Sequence, residues 1–276
     1  MKTSLRRRLS NRLFLLATVG CALVALIPLF LILGRLVQDG MQSLNWAFLT
    51  QMPAPVGEVG GGMANAIMGT GMIVGMAMLI GIPLGIGGGI YLSEYGRGQL
   101  AFWLRYLSDL LAGTPSIVIG IFVYVLIVVP TKHFSALAGS VALGIMMVPT
   151  ITRTTEEMLK MVPRDLREAS LALGISQWRT ILSIVLAAGS SGIITGILLS
   201  ISRVAGETAP LLFTAFGNRF WNTDVSQPTA ALPLQIFAYA ISPYDDWQSQ
   251  AWAGALLLIM LVLCLNVTAR FIRRGH

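Results

Sequence analysis

Hydrophobic residues in this chain come in long continuous runs, without the alternation of half-buried strands or the one-sided pattern of helices in soluble proteins. Six runs are long enough to cross the hydrocarbon core of a bilayer, which takes about 20 apolar residues in a helix. They cover residues 13–36, 65–92, 104–130, 136–158, 181–207 and 250–271. Continuous runs favour helices over a closed barrel. The pattern predicts an all-α integral membrane protein with six transmembrane helices.

The segments between the runs divide the rest of the chain. Residues 1–12 form a basic N-terminus, and residues 13–276 read as a single transmembrane domain. The first run is too long for the core of a cleaved signal peptide, so we expect an uncleaved helix. Polar residues dominate the loop 159–180. The long loop 208–249 contains an apolar stretch of only about 13 residues, which predicts a short helix or a re-entrant segment.

Composition and charge support this interpretation and add an orientation. The chain is 55% hydrophobic and 11% charged, which excludes a soluble domain of this size. Lys and Arg concentrate in the cytoplasmic loops of helical membrane proteins, and most basic residues here fall on one side. Only Arg35, Lys132 and Arg219 clearly fall on the other side. Both termini and the loop 159–180 are therefore predicted to be cytoplasmic.

The sequence offers no motif for covalent chemistry. Neither His133 nor His276 has a partner at metal-ligand spacing, so no metal site is predicted. No lysine follows a glycine, which excludes a phosphate-binding loop of the P-loop type. We therefore expect neither an enzyme nor a cofactor bound by this chain.

Arg203 and Glu207 are the charged pair that the pattern places inside a run. They are four residues apart, one helical turn, after about twenty apolar residues. An ionised side chain at the centre of a span costs about 2.5–3.5 kcal/mol or more, so it usually faces a partner or a pathway. One interpretation makes Arg203 an anion site with Glu207 as its counter-ion. The other places both at the outer interface, where they reach water.

Two further positions remain open between a structural and a pathway role. Arg153 can pair with Glu157 at i,i+4, or it can face a cavity and meet an anion. Thr114, Pro115 and Ser116 should break the third helix, because proline lacks an N–H group. That break either serves packing or lines a cavity.

Glycines four residues apart mark two packing faces. Gly81, Gly85 and Gly89 fall on one side of the second helix, and Gly192 and Gly196 on one side of the fifth. Small residues at this spacing let a neighbouring helix approach closely. We expect packing roles for both sets.

The polar loop carries a motif that resembles the EAA loop of ABC importer permeases. The family pattern is E-A-A, three residues, G, nine residues, then I-x-L-P. This chain matches it from Glu168 and Ala169 through Gly174 to Leu186, with Ser170 for the second alanine and Ala187 for the proline. The resemblance implies a type I importer (MetI-like) fold. It also implies that Glu168, Ala169, Ser170 and Gly174, flanked by Arg164 and Arg167, dock onto a cytoplasmic ATPase.

Other stretches resemble the PstA-type permeases of phosphate-specific ABC importers. They are GIPLGIGGGIYLSEY, AGTPSIVIGIF, RVAGETAPLLFTA, ALPLQIFAYAISP and SPYDDWQSQAWAGALLLI, which together lie between about Gly81 and Ile259. The resemblance implies phosphate import across the bacterial inner membrane. It also implies four kinds of partner: membrane lipid, a second PstC-type permease, an ATPase dimer that holds ATP and Mg²⁺, and an outer phosphate-binding protein. Nucleic acid is not among them. Alternatives are an ABC permease for sulfate or molybdate, and a secondary transporter driven by an ion gradient.

Overall fold

The computed structural model describes residues 2–55, 58 and 60–274, and the side chains of residues 2–6, 8 and 272–274 are left out of the description. Residues 1, 56–57, 59 and 275–276 lie outside the described part, and with them His276, at which no metal site is predicted.

The regular secondary structure of the described residues is helical, with no β-strand. The helices are α1 (Lys2–Ser43), α2 (Trp46–Thr50), α3 (Ala64–Ile90), α4 (Gly98–Gly113), α5 (Ser116–Val123), α6 (Val129–Thr131), α7 (Ala136–Met161), α8 (Arg164–Ala172), α9 (Gln177–Thr180), α10 (Leu186–Ala205), α11 (Ala209–Leu212), α12 (Leu232–Ala240) and α13 (Asp245–Arg274). Three π-helical turns, Tyr91–Tyr95, Tyr124–Val128 and Ile181–Val185, follow α3, α5 and α9.

Five helices of the described chain are long and apolar enough to cross a membrane, and a bent pair brings the number to six. The predicted all-α class is confirmed. The third run, 104–130, is divided between α4 and the segment Ser116–Thr131, which meet at 106°. Thr114 is extended with ψ 133°, as the residue before a proline prefers, and Pro115 cannot donate a helical hydrogen bond. The helix therefore breaks at the predicted position.

The ends of three other spans differ from the prediction. Helix α1 runs from Lys2 to Ser43 and α13 begins at Asp245, so both exceed their apolar runs. Helix α10 ends at Ala205, with Gly206 as its cap. Glu207 therefore lies in the turn after α10, two residues beyond the end of the helix that holds Arg203.

Helices α3 and α7 form the central pair of the bundle. A Cβ atom built on Gly81 would lie 2.7 Å from the Met147 Cβ, and one on Gly85 would lie 2.6 Å from the Ile151 Cβ. A Cβ on Gly89 would meet Thr155 in the same way. Each step of four residues in α3 thus matches a step of four in α7, and the predicted packing face is confirmed.

Helix α10 packs on another part of α7 through its own glycines. A Cβ on Gly192 would meet the Met158 side chain, and one on Gly196 would meet Thr154. Four residues forward in α10 correspond to four residues back in α7, so the two helices are antiparallel. This confirms the second packing face and fixes the level of every α10 residue along α7.

The segment between α1 and α3 and the loop 208–249 share a buried cluster, and each is also hydrogen-bonded to a neighbouring helix. The Thr70 hydroxyl accepts a hydrogen bond from the Leu232 backbone N–H at 2.7 Å, and the Gln250 amide donates to the Gly60 carbonyl at 2.6 Å. A buried cluster that includes Phe48, Met63 and Leu232 lies beneath them. The predicted short helix in the second loop is α12. These contacts close the predicted outer end of the bundle.

Helix α1 lies at the periphery. It contacts α13, where Gly40 lies against Trp252 and Leu256. Within the most apolar 18-residue stretch of α1, no residue is buried inside the chain. Its surface is therefore available to lipid or to another subunit.

Candidate functional site

Arg203 lies near the middle of the bundle. Continuing the α10–α7 register from Gly196 and Thr154 puts Arg203 at the level of Met147. Ile201 and Val204 share a buried cluster with Met147, which supports this register. Met147 is about eleven residues from the first residue of α7 and about fourteen from its last, or about 17 and 21 Å at 1.5 Å per residue. The packing therefore favours a deep position over the outer interface.

The Arg203 side chain is open on one side. It is 52% exposed in this single chain, whereas the Glu207 side chain is 19% exposed. The Arg203 Nε and a Glu207 carboxylate oxygen are 3.9 Å apart, which is too long for a hydrogen bond. The two charges attract each other, and within the described residues no hydrogen bond occupies the N–H groups of the Arg203 guanidinium.

Arg153 forms the predicted pair with Glu157, at 3.2 Å between Nε and a carboxylate oxygen. It also reaches Asp109 of α4 at 3.3 Å, a contact that the sequence analysis missed. All three side chains are more than half exposed, so these ion pairs add little stability in water. Arg153 is level with Ile197 of α10, about 9 Å below Arg203 toward the predicted cytoplasmic end. The structure does not bring the two arginines into contact.

The helix that follows the break at Thr114–Ser116 packs on the segment that follows α10. A Cβ on Gly120, one turn after Ser116, would lie 2.6 Å from the Pro210 Cα, three residues after Glu207. The Thr114 hydroxyl donates to the Leu110 carbonyl at 2.8 Å and so caps the end of α4. The broken span and the end of α10 are therefore held by the same α5–α11 contact.

The motif in loop 159–180 folds as a helix with a tight end. Gly174 has φ +78°, a left-handed value that glycine adopts without strain. The Gly174 N–H donates to the Leu171 carbonyl and the Ile175 N–H to the Ser170 carbonyl, which together form a Schellman motif. This ends α8 and turns the chain toward α9.

One surface of α8 and the following turn has no cover within the described chain. Arg164, Glu168, Ala169 and Gly174 are all exposed there. Exposed apolar side chains surround these residues: Leu166 (43%), Leu171 (48%), Leu173 (80%) and Trp178 (55%). A polar and apolar surface of this kind at one end of a membrane protein is typical of a protein contact. We call these eight residues the α8 surface.

Ser170 and Arg167 do not belong to that surface. Ser170 is 3% exposed, and its hydroxyl lies 2.8 Å from the Thr180 hydroxyl, so it ties α8 to α9. Arg167 forms a two-point ion pair with Glu94, at 2.7 and 3.1 Å. The expectation that both residues contact a partner does not fit these internal contacts.

A buried ion-pair cluster at the same end was missed by the sequence analysis. Glu156 is 3% exposed and accepts hydrogen bonds from Arg105 at 2.8 Å and from Lys160 at 2.5 Å. Arg105 also donates to the Leu92 carbonyl at 2.9 Å. Glu156 and Lys160 are four residues apart, which was a usable signal, but Arg105 lies 51 residues away in sequence. The cluster joins α4, α7 and the π-helical turn after α3.

Comparison with known proteins gives a consistent result. The family described as binding-protein-dependent transport system inner membrane component matches residues 81–275. A phosphate transport system permease protein PstA from Yersinia pestis is 50% identical over 273 residues, which cover 98% of this chain and 92% of the relative. The PstA protein from Haemophilus influenzae is 46% identical, with 96% of this chain and 94% of the relative covered.

Solved structures share the fold at lower identity. An inward-facing MetNI methionine ABC transporter chain matches with a TM-score of 0.59 and 18% identity, over 77% of this chain and 96% of that chain. A chain of an amino acid ABC transporter matches with a TM-score of 0.57 and 14% identity, over 78% of this chain and 93% of that chain. The MetI-like fold expected from the EAA-type motif is therefore confirmed, and the chain belongs to the PstA family of multi-pass permeases in binding-protein-dependent transport systems.

Proposed function

We propose that this chain is the transmembrane permease subunit of an ATP-driven importer for inorganic phosphate in the bacterial cytoplasmic membrane, with both termini inside. It forms half of the pathway, and a homologous PstC-type permease forms the other half. An ATPase dimer with its own ATP and Mg²⁺ docks on the α8 surface, and an outer phosphate-binding protein delivers the substrate. The chain carries out no covalent chemistry itself.

The observation that carries this proposal is the half-exposed Arg203 at mid-depth. A guanidinium keeps its charge in a low-dielectric setting and can bind two phosphate oxygens at once. Glu207, at 3.9 Å, competes for the guanidinium without holding its N–H groups. A transport site has to release its ion as well as bind it, and a competing carboxylate assists release. Arg153 is the second candidate, about 9 Å further toward the predicted cytoplasmic end.

The α8 surface supports the assignment of the energy source. In the proposed cycle, ATP-driven closure of the ATPase dimer moves the α8 surfaces of the two permeases together and opens the cavity outward. Hydrolysis then resets the cavity inward. A secondary transporter has no ATPase that would cover an exposed helix end at this position.

Arg203→Gln tests the pathway role. Loss of a charge-assisted hydrogen bond of about 1.5–3 kcal/mol should lower phosphate uptake about 10- to 150-fold. The complete complex should still assemble, as measured by co-purified ATPase. Lys132→Gln is the control, because Lys132 is an exposed cation outside the spans, and its uptake should match the wild type. Normal uptake in Arg203→Gln would contradict the proposal.

The choice of cargo needs a separate measurement. Unlabelled phosphate should compete with labelled phosphate for uptake, whereas sulfate and molybdate should not. Equal competition by sulfate or molybdate would favour the alternative importer for another oxyanion. Uptake by this chain alone, driven by an ion gradient without the ATPase, would favour the secondary transporter.

A further inference from the structure

Every N–H group of the Arg167 side chain has an acceptor within the chain. Its Nε and Nη2 donate to the two carboxylate oxygens of Glu94 at 3.1 and 2.7 Å. Nη2 also donates to the Leu159 carbonyl at 2.8 Å, and Nη1 to the Val162 carbonyl at 2.7 Å, with Pro163 at 3.5 Å. The side chains of Arg167 and Glu94 are only 20% and 9% exposed. This is a fully occupied, largely buried contact.

The acceptors belong to the ends of two other helices. Glu94 lies in the π-helical turn after α3, and the carbonyls of Leu159 and Val162 lie at the end of α7. The last carbonyls of a helix have no partner within that helix, so an arginine from elsewhere can satisfy them. Arg167 therefore fastens α8 to the ends of α3 and α7 together.

The connection from α8 to α10 is weaker. The chain passes through the left-handed Gly174, the four-residue helix α9 and a π-helical turn before α10 begins. The side-chain contact on this route is the hydrogen bond between the neutral hydroxyls of Ser170 and Thr180. A charge-assisted hydrogen bond is roughly twice as strong as a neutral one, and Arg167 donates two of them to Glu94. Movement of α8 is therefore transmitted more directly to α3 and α7 than to α10.

Helices α3, α7 and α4 are joined at this end. The glycine face of α3 brings its backbone into close contact with α7. Glu156 of α7 holds Arg105 of α4, which in turn binds the Leu92 carbonyl after α3. A force applied at Arg167 therefore acts on this whole group of helices.

We propose that Arg167 is a positioning residue that converts movement of the α8 surface into movement of the α3–α7 pair. This inference rests on the proposed function as an ATP-driven phosphate importer. Without the Arg167–Glu94 contact, α8 still docks on the ATPase and stays joined to α7 through Val162 and Pro163, but its side-chain contact with the end of α3 is lost and its movement is transmitted less completely. ATP hydrolysis then continues while transport fails.

The test compares ATP hydrolysis with phosphate transport in the complete complex reconstituted in liposomes. The variants are Arg167→Gln, Arg167→Lys and Glu94→Gln. The control is Asp165→Asn, a charge change at an exposed position of the same helix. Arg167→Gln and Glu94→Gln should each raise the ATP hydrolysed per phosphate about tenfold, within the 5- to 150-fold range of typical coupling between sites. Arg167→Lys keeps the charge without the two-point geometry and should give an intermediate ratio.

Each result bears on the inference. An unchanged ATPase content with a raised ratio supports it. A proportional fall of hydrolysis and transport would overturn it, since that indicates a merely structural role. Loss of the co-purified ATPase would also overturn it, because Arg167 would then belong to the docking contact. A wild-type complex without ATP-driven phosphate uptake would instead refute the proposed function.

Discussion

Gly85 and Gly87 lie two residues apart in α3, and the same change to alanine should affect them differently. A Cβ on Gly85 would lie 2.6 Å from the Ile151 Cβ and 2.7 Å from its Cγ2. Ordinary contacts of this kind begin at about 3.4 Å, so α3 and α7 would have to separate by roughly 0.8 Å or more. Overpacking of this size costs about 1–3 kcal/mol. A Cβ on Gly87 would meet nothing within 4 Å.

The assay is thermal unfolding of the purified complex in detergent, followed by the fraction that stays monodisperse and compared at one heating rate. Alanine gains about 1 kcal/mol of helix propensity over glycine at either position, which leaves a net cost of up to about 2 kcal/mol for Gly85→Ala. At about 2–4 °C per kcal/mol, this change should lower the melting temperature by up to about 8 °C. Gly87→Ala should leave it unchanged or raise it slightly, since alanine favours a helix over glycine by about 1 kcal/mol. Equal melting temperatures for the two variants would refute the proposed role of the glycine face.

Two more predictions concern loops. Gly174→Val should reduce the co-purified ATPase, because a β-branched residue at φ +78° is strained by about 1–2 kcal/mol or more, whereas Gly174→Asn should retain it, since asparagine tolerates this conformation. The Ser226 hydroxyl and backbone N–H hold the pKa of Asp224 below its ordinary value of 3.8. That stabilising contribution is complete above this value and is lost as the pH falls through the lower, folded-state pKa. In the wild type, amide hydrogen exchange of residues 222–228, corrected for intrinsic rates, should rise as the pH falls below 3.8. Asp224→Asn should show no such rise. A rise in both proteins would contradict the role of the Asp224 carboxylate in holding this turn.

The spans could be predicted because lipid imposes a simple rule on composition. The glycine faces could be predicted as well, since a repeat of four residues is a local pattern. The break at Pro115 was also visible, but its 106° angle was not. The position of α4 in the bundle involves long-range contacts such as Arg105 with Glu156, which join residues 51 apart.

The residues of the candidate site could be named from the sequence, but their positions and contacts could not. Arg203 stood out as a charge inside an apolar run, yet its depth required the register between Gly196 and Thr154. Arg167 was identified beside the motif, but the resemblance predicted that it contacts an ATPase outside the chain. Its partner Glu94 lies 73 residues away, and no periodicity within one helix can reveal such a pair.

The π-helical turn Ile181–Val185 has a consequence for the fifth span. A π-helical turn holds one residue more than the α-helical path it interrupts, and each residue turns a helix by about 100°. The length of this turn therefore sets the azimuth of α9 relative to α10. A relative that lacked one residue here would present its α8 surface and its Arg203 at a different angle to each other. Sequence alignments across this segment should be judged by that phase as well as by residue identity.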